Sequence, residues 1–113
     1  MKRRLLISDM DHTLLSEDST LSGENLDAIR KHVEGGGLFT VATGRAPAAI
    51  RVFPQLLPYI TLPVITRNGG QGVDLRGGDR ILRRWALPNE VRPLFQEAMA
   101  HFPTIGAVAY YGL

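Results

Sequence analysis

Short apolar runs along this chain alternate with polar stretches in which apolar residues recur every three or four positions. Leu5-Leu6-Ile7-Ser8 is such a run, and it reads as a short strand buried on both faces, as in a parallel sheet. Residues 12 to 21 are polar and loop-like. Ser22 can cap a helix running to about Glu34, with Leu26, Ile29 and Val33 on one face. Glu24 in its first turn and Lys31 and His32 in its last suit the helix dipole, and Gly35-Gly36-Gly37 stops it. Leu38 to Ala42 reads as a second buried strand. Thr43-Gly44-Arg45 follows, then a short helix from about Pro47 that Pro54 and Pro58 break or kink. Pro63 to Thr66 is the third strand. The order strand, helix, strand, helix, strand predicts an α/β fold in which two right-handed crossovers make three parallel strands.

After Asn68 the pattern changes. Gln71 to Leu75 and Arg80 to Ala86 predict a hairpin around Arg76-Gly77-Gly78-Asp79. Asn89 is placed to cap an amphipathic helix with Val91, Leu94, Phe95, Ala98 and Phe102 on one face. Pro93 falls in its first turn, where proline is tolerated. Thr104 to Tyr111 reads as a further strand.

Composition narrows the classes. At 113 residues the chain suffices for one small domain. No apolar run approaches the ~18 residues of a membrane span. The apolar run after Met1-Lys2-Arg3-Arg4 is too short for a signal peptide, because Asp9 ends it. Without cysteine there is no disulfide, thiolate metal site or cysteine nucleophile, and a cytoplasmic location is the default. The net charge is only +2, and the basic clusters Lys2-Arg3-Arg4 and Arg80 with Arg83-Arg84 lack interleaved aromatics. They read as solvated faces, so neither nucleic acid nor membrane is an expected partner.

The three predicted parallel strands end at Ser8, Ala42 and about Arg67. In open α/β sheets, ligands bind beyond the carboxyl ends of the strands. Asp9 and Asp11, Thr43 and Arg45, and Asn68 all fall there. A strand's side-chain period of two lets Asp9 and Asp11 project toward one region. Two nearby carboxylates repel, so they call for a metal ion or a raised pKa. Mg²⁺ prefers oxygen ligands and is usually held by one or two carboxylates plus substrate phosphate. One carboxylate could attack phosphorus while the other exchanges protons with the leaving group and then with water. Asp79, after two glycines, sits in a hairpin turn with no second acid at a useful spacing, and is set aside as a metal ligand.

These residues carry a family resemblance. Asp9-Met10-Asp11-His12-Thr13-Leu14 resembles the first motif of the haloacid dehalogenase (HAD) superfamily, Asp-x-Asp-x-Thr-Leu after an apolar strand. Leu38 to Arg45, ending Thr-Gly-Arg, is similar to its second motif. With Pro63 to Gly70, it resembles the Cof-type sugar-phosphatase branch. The resemblance runs from about Leu5 to at least Asp74. It implies a partial HAD-like Rossmannoid core over residues 1–70. A hairpin or linker over 71–86 and the start of a truncated α/β cap over 87–113 would follow.

The resemblance implies a Mg²⁺-dependent phosphatase acting on a small phosphorylated metabolite such as a sugar phosphate. Asp9 would be the nucleophile that becomes an aspartyl-phosphate and a Mg²⁺ ligand. Asp11 would be the general acid/base, its backbone carbonyl binding the same ion. Thr43 would hydrogen-bond a phosphoryl oxygen, Gly44 would let backbone approach closely, and Arg45 and Asn68 would face the substrate. The family usually has Gly where this chain has His12. The family mechanism also needs a lysine and a further acidic motif, normally from the second half of the core. Lys2 and Lys31 should lie at the wrong edge of the sheet. The chain is therefore expected to be the N-terminal part of a longer enzyme, inactive or weak by itself, with Leu5 to Ser8 left as an apolar edge covered by self-association. The alternative is a non-catalytic module that binds phosphate, Mg²⁺ or a partner chain. A response-regulator receiver fits less well, because its acidic pair is usually adjacent and its phosphorylated aspartate lies on a later strand.

Overall fold

The computed structural model describes residues 2–108. Strand β1 (Leu5–Ser8) leads through a kinked helical turn at Met10–Leu14 to helix α1 (Gly23–Glu34). Strand β2 (Leu38–Val41), helix α2 (Pro47–Ile50) and strand β3 (Val64–Thr66) follow. Strands β4 (Gln71–Asp74) and β5 (Arg80–Arg84) precede helix α3 (Val91–His101).

The helices begin and end much as their sequence signals predict. The Ser22 hydroxyl accepts from the Asn25 N–H at 3.1 Å, so the cap forms. Helix α3 differs: Glu90, not Asn89, is its N-cap, and no side chain caps it. Asn89 contributes its carbonyl instead, accepting from the Arg92 N–H at 3.1 Å.

β1 and β2 pair in parallel, Leu5 beside Leu38 through Ser8 beside Val41. A single bridge, Ala42 beside Ile65, joins β3 to this pair in parallel. On its other edge all of β3 pairs antiparallel with β4, and β4 pairs with β5. The third parallel strand thus belongs mainly to the hairpin that follows it, a pairing that no local pattern encodes. Arg51 closes the hairpin tip onto α2 by donating from Nε to Asp79 Oδ1 at 3.0 Å. That gives Asp79 a structural partner.

One apolar core gathers from α1, β2, α2, β3, β4 and the turns beside them. Phe39 and Val41 of β2 and Val64 of β3 are fully buried. Ile50 and Leu56 close one side and Ile29 of α1 the other. Leu14 and Leu15, within the stretch that reads as a polar loop, are also buried, and Leu15 bridges Leu21.

β1 corrects its sequence reading. Leu5, Leu6 and Ile7 are exposed, not buried on both faces, because β1 pairs only with β2 among the described residues. The apolar face of α3 is likewise uncovered at Leu94, Phe95 and Phe102. The strand expected over Thr104 to Tyr111 does not form across its described part. Residues 103–104 make a turn, 105–108 are irregular, and the remainder lies outside the described residues.

Candidate active site

The first site element is the turn beyond β1. Asp9 leaves the strand in extended conformation, and Met10 then drives its side chain fully into the core. Burying Met10 turns its flanking residues outward, so Asp9 stays exposed and Asp11 half-buried. The Thr13 hydroxyl donates to Asp9 Oδ2 at 3.1 Å, which fixes one carboxylate oxygen.

His12 has φ +60° and ψ 11°, the left-handed region. A side chain there costs about 1–2 kcal/mol, which gives a physical reason for glycine at this position. His12→Gly is expected to raise stability by about 1 kcal/mol, read as a higher urea midpoint at unchanged slope. A midpoint that falls would show that the histidine makes up the backbone cost through its contacts.

The second element is the end of β2. Thr43 is buried. Its N–H donates to the Ile65 carbonyl at 2.8 Å, and its carbonyl accepts from the Asn68 N–H at 3.0 Å. Its hydroxyl accepts from the Arg45 N–H at 3.1 Å. Thr43 does not cap α2, whose N-cap is Ala46. At Gly44 a Cβ would come within 2.9 Å of Asn68 Oδ1, so this close approach of two strand ends favours glycine. Asn68 itself is left-handed at φ 54°, a conformation asparagine tolerates better than most residues.

Arg45 ties the two elements together. Its Nε donates to Asp11 Oδ2 at 2.8 Å and its Nη2 to Asp11 Oδ1 at 2.7 Å, a bidentate pair. Nη1 donates to the Ala49 carbonyl at 3.1 Å, and the guanidinium lies over the Phe53 ring, 5.4 Å from its centroid. The side-chain hydrogen bonds from Arg45, helped by its charge, hold the Asp11 carboxyl below its usual value of 3.8 despite partial burial. A folded pKa below the unfolded one means that the pair stabilises the chain above about pH 3.8. That contribution is lost as pH falls through the folded value. Arg45→Gln is expected to move the Asp11 midpoint up, toward 3.8, in a carboxyl carbon NMR titration. An unmoved midpoint would put the cause of the shift elsewhere.

Asp9, Asp11, Thr43, Gly44, Arg45 and Asn68 therefore meet at one end of the sheet. The sequence did not reveal that Arg45 grips Asp11, nor that Thr13 bonds Asp9. The spacing of Thr13, four residues after Asp9 in a tight turn, was the available signal for the second.

The comparisons agree with this architecture. Residues 6–104 match the family model of haloacid dehalogenase-like hydrolases. The chain belongs to the haloacid dehalogenase-like hydrolase family. It is similar to 5-amino-6-(5-phospho-D-ribitylamino)uracil phosphatase YwtE of Bacillus subtilis, 38% identical over 82 residues, which cover 73% of this chain and 27% of that protein. It is also similar to the phosphatase YcsE of the same organism, which carries the same substrate name. That match is 31% identical over 96 residues, covering 77% of this chain and 38% of that protein. Among solved structures, BT1666 of Bacteroides thetaiotaomicron, a phosphatase of the HAD superfamily, aligns with a TM-score of 0.72 and 30% identity, covering 89% of this chain and 36% of that one. The chain thus spans well under half the length of the HAD relatives it matches.

Proposed function

We propose that this chain carries the nucleophile half of a cytoplasmic Mg²⁺-dependent phosphatase for small phosphorylated metabolites. The observation that carries this reading is the joining of strand ends: Asp11 to Arg45, and Thr43 to Asn68, around an exposed Asp9. The two Bacillus relatives are named for a phosphorylated ribitylamino-uracil, which makes a phosphorylated polyol the first substrate class to test.

The chemistry follows from the groups present. Asp9 attacks phosphorus through a carboxylate oxygen, and the ester P–O bond breaks. The leaving alkoxide takes a proton from Asp11. Water then loses a proton to Asp11 and attacks the acyl phosphate, freeing Asp9 and inorganic phosphate. In the structure Arg45 holds Asp11 ionised and occupies both its oxygens, so proton exchange with the leaving group or with water requires that pair to open. Thr43 would hydrogen-bond a phosphoryl oxygen, and Asn68 would face the substrate.

A metal fits the donor set in part. The Thr13 hydroxyl engages only Oδ2 of the Asp9 carboxylate, leaving Oδ1 available to a hard cation. The Asp11 backbone carbonyl would be a second ligand. Among the described residues no three acidic or histidine side chains converge, so this chain would supply only part of the shell. When bound, Mg²⁺ would neutralise the phosphoryl charge.

A second reading, a module that binds phosphate or Mg²⁺ without turnover, is favoured by the capture of both Asp11 oxygens by Arg45. Hydrolysis of an aryl phosphate by the purified chain, with and without Mg²⁺, separates the two. Mg²⁺-dependent release of phosphate supports the enzyme, and binding with intact substrate supports the module.

A further inference from the structure

The Asp11–Arg45 pair joins the two strand ends on which the phosphatase reading depends. Asp11 stands two residues after Asp9. Arg45 stands two residues after Thr43, whose hydroxyl accepts from the Arg45 N–H at 3.1 Å. Nε and Nη2 of the guanidinium take up both Asp11 oxygens, at 2.8 and 2.7 Å. A guanidinium fork accepts phosphate in the same bidentate way, and a phosphoryl group brings more charge than one carboxylate.

The two partners are not held alike. Arg45 has further anchors: Nη1 donates to the Ala49 carbonyl of α2 at 3.1 Å, and the guanidinium lies over the buried Phe53 ring. Its side chain is 20% exposed, against 41% for Asp11. Asp11 sits in the kinked turn, in extended conformation, between the buried Met10 and the left-handed His12. A change of rotamer therefore carries the Asp11 carboxylate off the pair and leaves the backbone in place. Moving Arg45 would also break its contacts with α2 and Phe53.

We propose, on the phosphatase reading above, that Arg45 is a fixed anion dock, filled by the Asp11 carboxylate at rest and by a phosphoryl oxygen of the substrate at work. The exchange meets two needs at once. The arriving phosphoryl group gains a guanidinium beside Thr43, and the displaced Asp11 has both oxygens free to exchange protons. A molecule without a phosphoryl group leaves Asp11 docked and blocked. The acid/base is thus released only when there is a phosphoryl group to act on. The exchange has a cost in affinity, because the dock receives phosphate only in the fraction of chains where Asp11 has left it.

Inorganic phosphate is the probe, read by NMR at the Arg45 Nε–H and at the Asp11 carboxyl carbon. The Thr43 and Asn68 amides report whether phosphate occupies the site. In the unmodified chain the Nε–H should exchange slowly with water. Added phosphate should keep it slow while the Asp11 carboxyl carbon moves to the position of an unpaired carboxylate. In Asp11→Ala the Nε–H signal should be lost to exchange and should return with phosphate. Titration of the unmodified chain decides the matter even if Asp11→Ala does not fold. Thr43 and Asn68 amides that shift while Asp11 stays paired would overturn the dock and leave the phosphate site standing. So would an Nε–H lost on phosphate binding, because Arg45 would then not be the fixed partner. Amides that do not respond to phosphate at all would overturn the phosphatase reading and the dock together.

Discussion

Asp9→Asn is expected to abolish whatever Mg²⁺-dependent phosphate release the chain supports, a loss on the order of 10⁴-fold where the signal allows. The substitution keeps the side chain's shape and removes the charge that the proposed nucleophile needs. Asp9 is exposed and, among the described residues, its carboxylate's only hydrogen bond is from Thr13, so the thermal midpoint should hardly change. That contrast separates a chemical loss from an unfolding loss. Asp11→Asn should behave differently. On the proposed roles it would remove proton transfer, worth roughly 10²–10⁴-fold, and slow hydrolysis of the acyl phosphate once formed. Turnover retained in Asp9→Asn but lost in Asp11→Asn would reverse the two roles.

Phe39→Ala is expected to cost about 3–5 kcal/mol, a large part of the stability of a small domain. Phe39 is fully buried on β2, the strand that pairs with β1 and precedes Thr43. Deleting its ring leaves a cavity in the core against β2, so the strand that leads into Thr43 should loosen with the core. Val52→Ala is the comparison, because Val52 is exposed and a change there should stay within about 0.5 kcal/mol. Urea unfolding of the two variants measures both. Similar midpoints would mean that the core does not centre on β2.

The candidate site was legible in the sequence because its parts are local. An apolar run followed by Asp9-Met10-Asp11 says that a strand ends in carboxylates, and Thr43-Gly44-Arg45 repeats the form one unit later. Alternation also implies that Met10 points away from its neighbours, although its complete burial needed the fold. What was not legible depends on partners distant in sequence. The bidentate grip of Arg45 on Asp11 spans 34 positions. β3 pairs with β4 on the edge opposite its bridge to β2, and residue pattern does not announce that second partner. An apolar run such as Leu5 to Ile7 announces that it should be covered but not by what, and the same holds for the apolar face of α3. The left-handed turn at His12 was signalled only by the glycine usual in the family at that position, since the residue present does not require positive φ.

The most direct test of the central claim is to find where a phosphoryl group lands. The chain is incubated with acetyl phosphate and Mg²⁺, the acyl phosphate is trapped by borohydride reduction, and the modified residue is mapped by peptide mass spectrometry. The predicted result is a single Mg²⁺-dependent modification at Asp9, absent in Asp9→Asn. A modification on Asp11, or one that survives Asp9→Asn, would contradict the assignment of Asp9 as the phosphoryl acceptor.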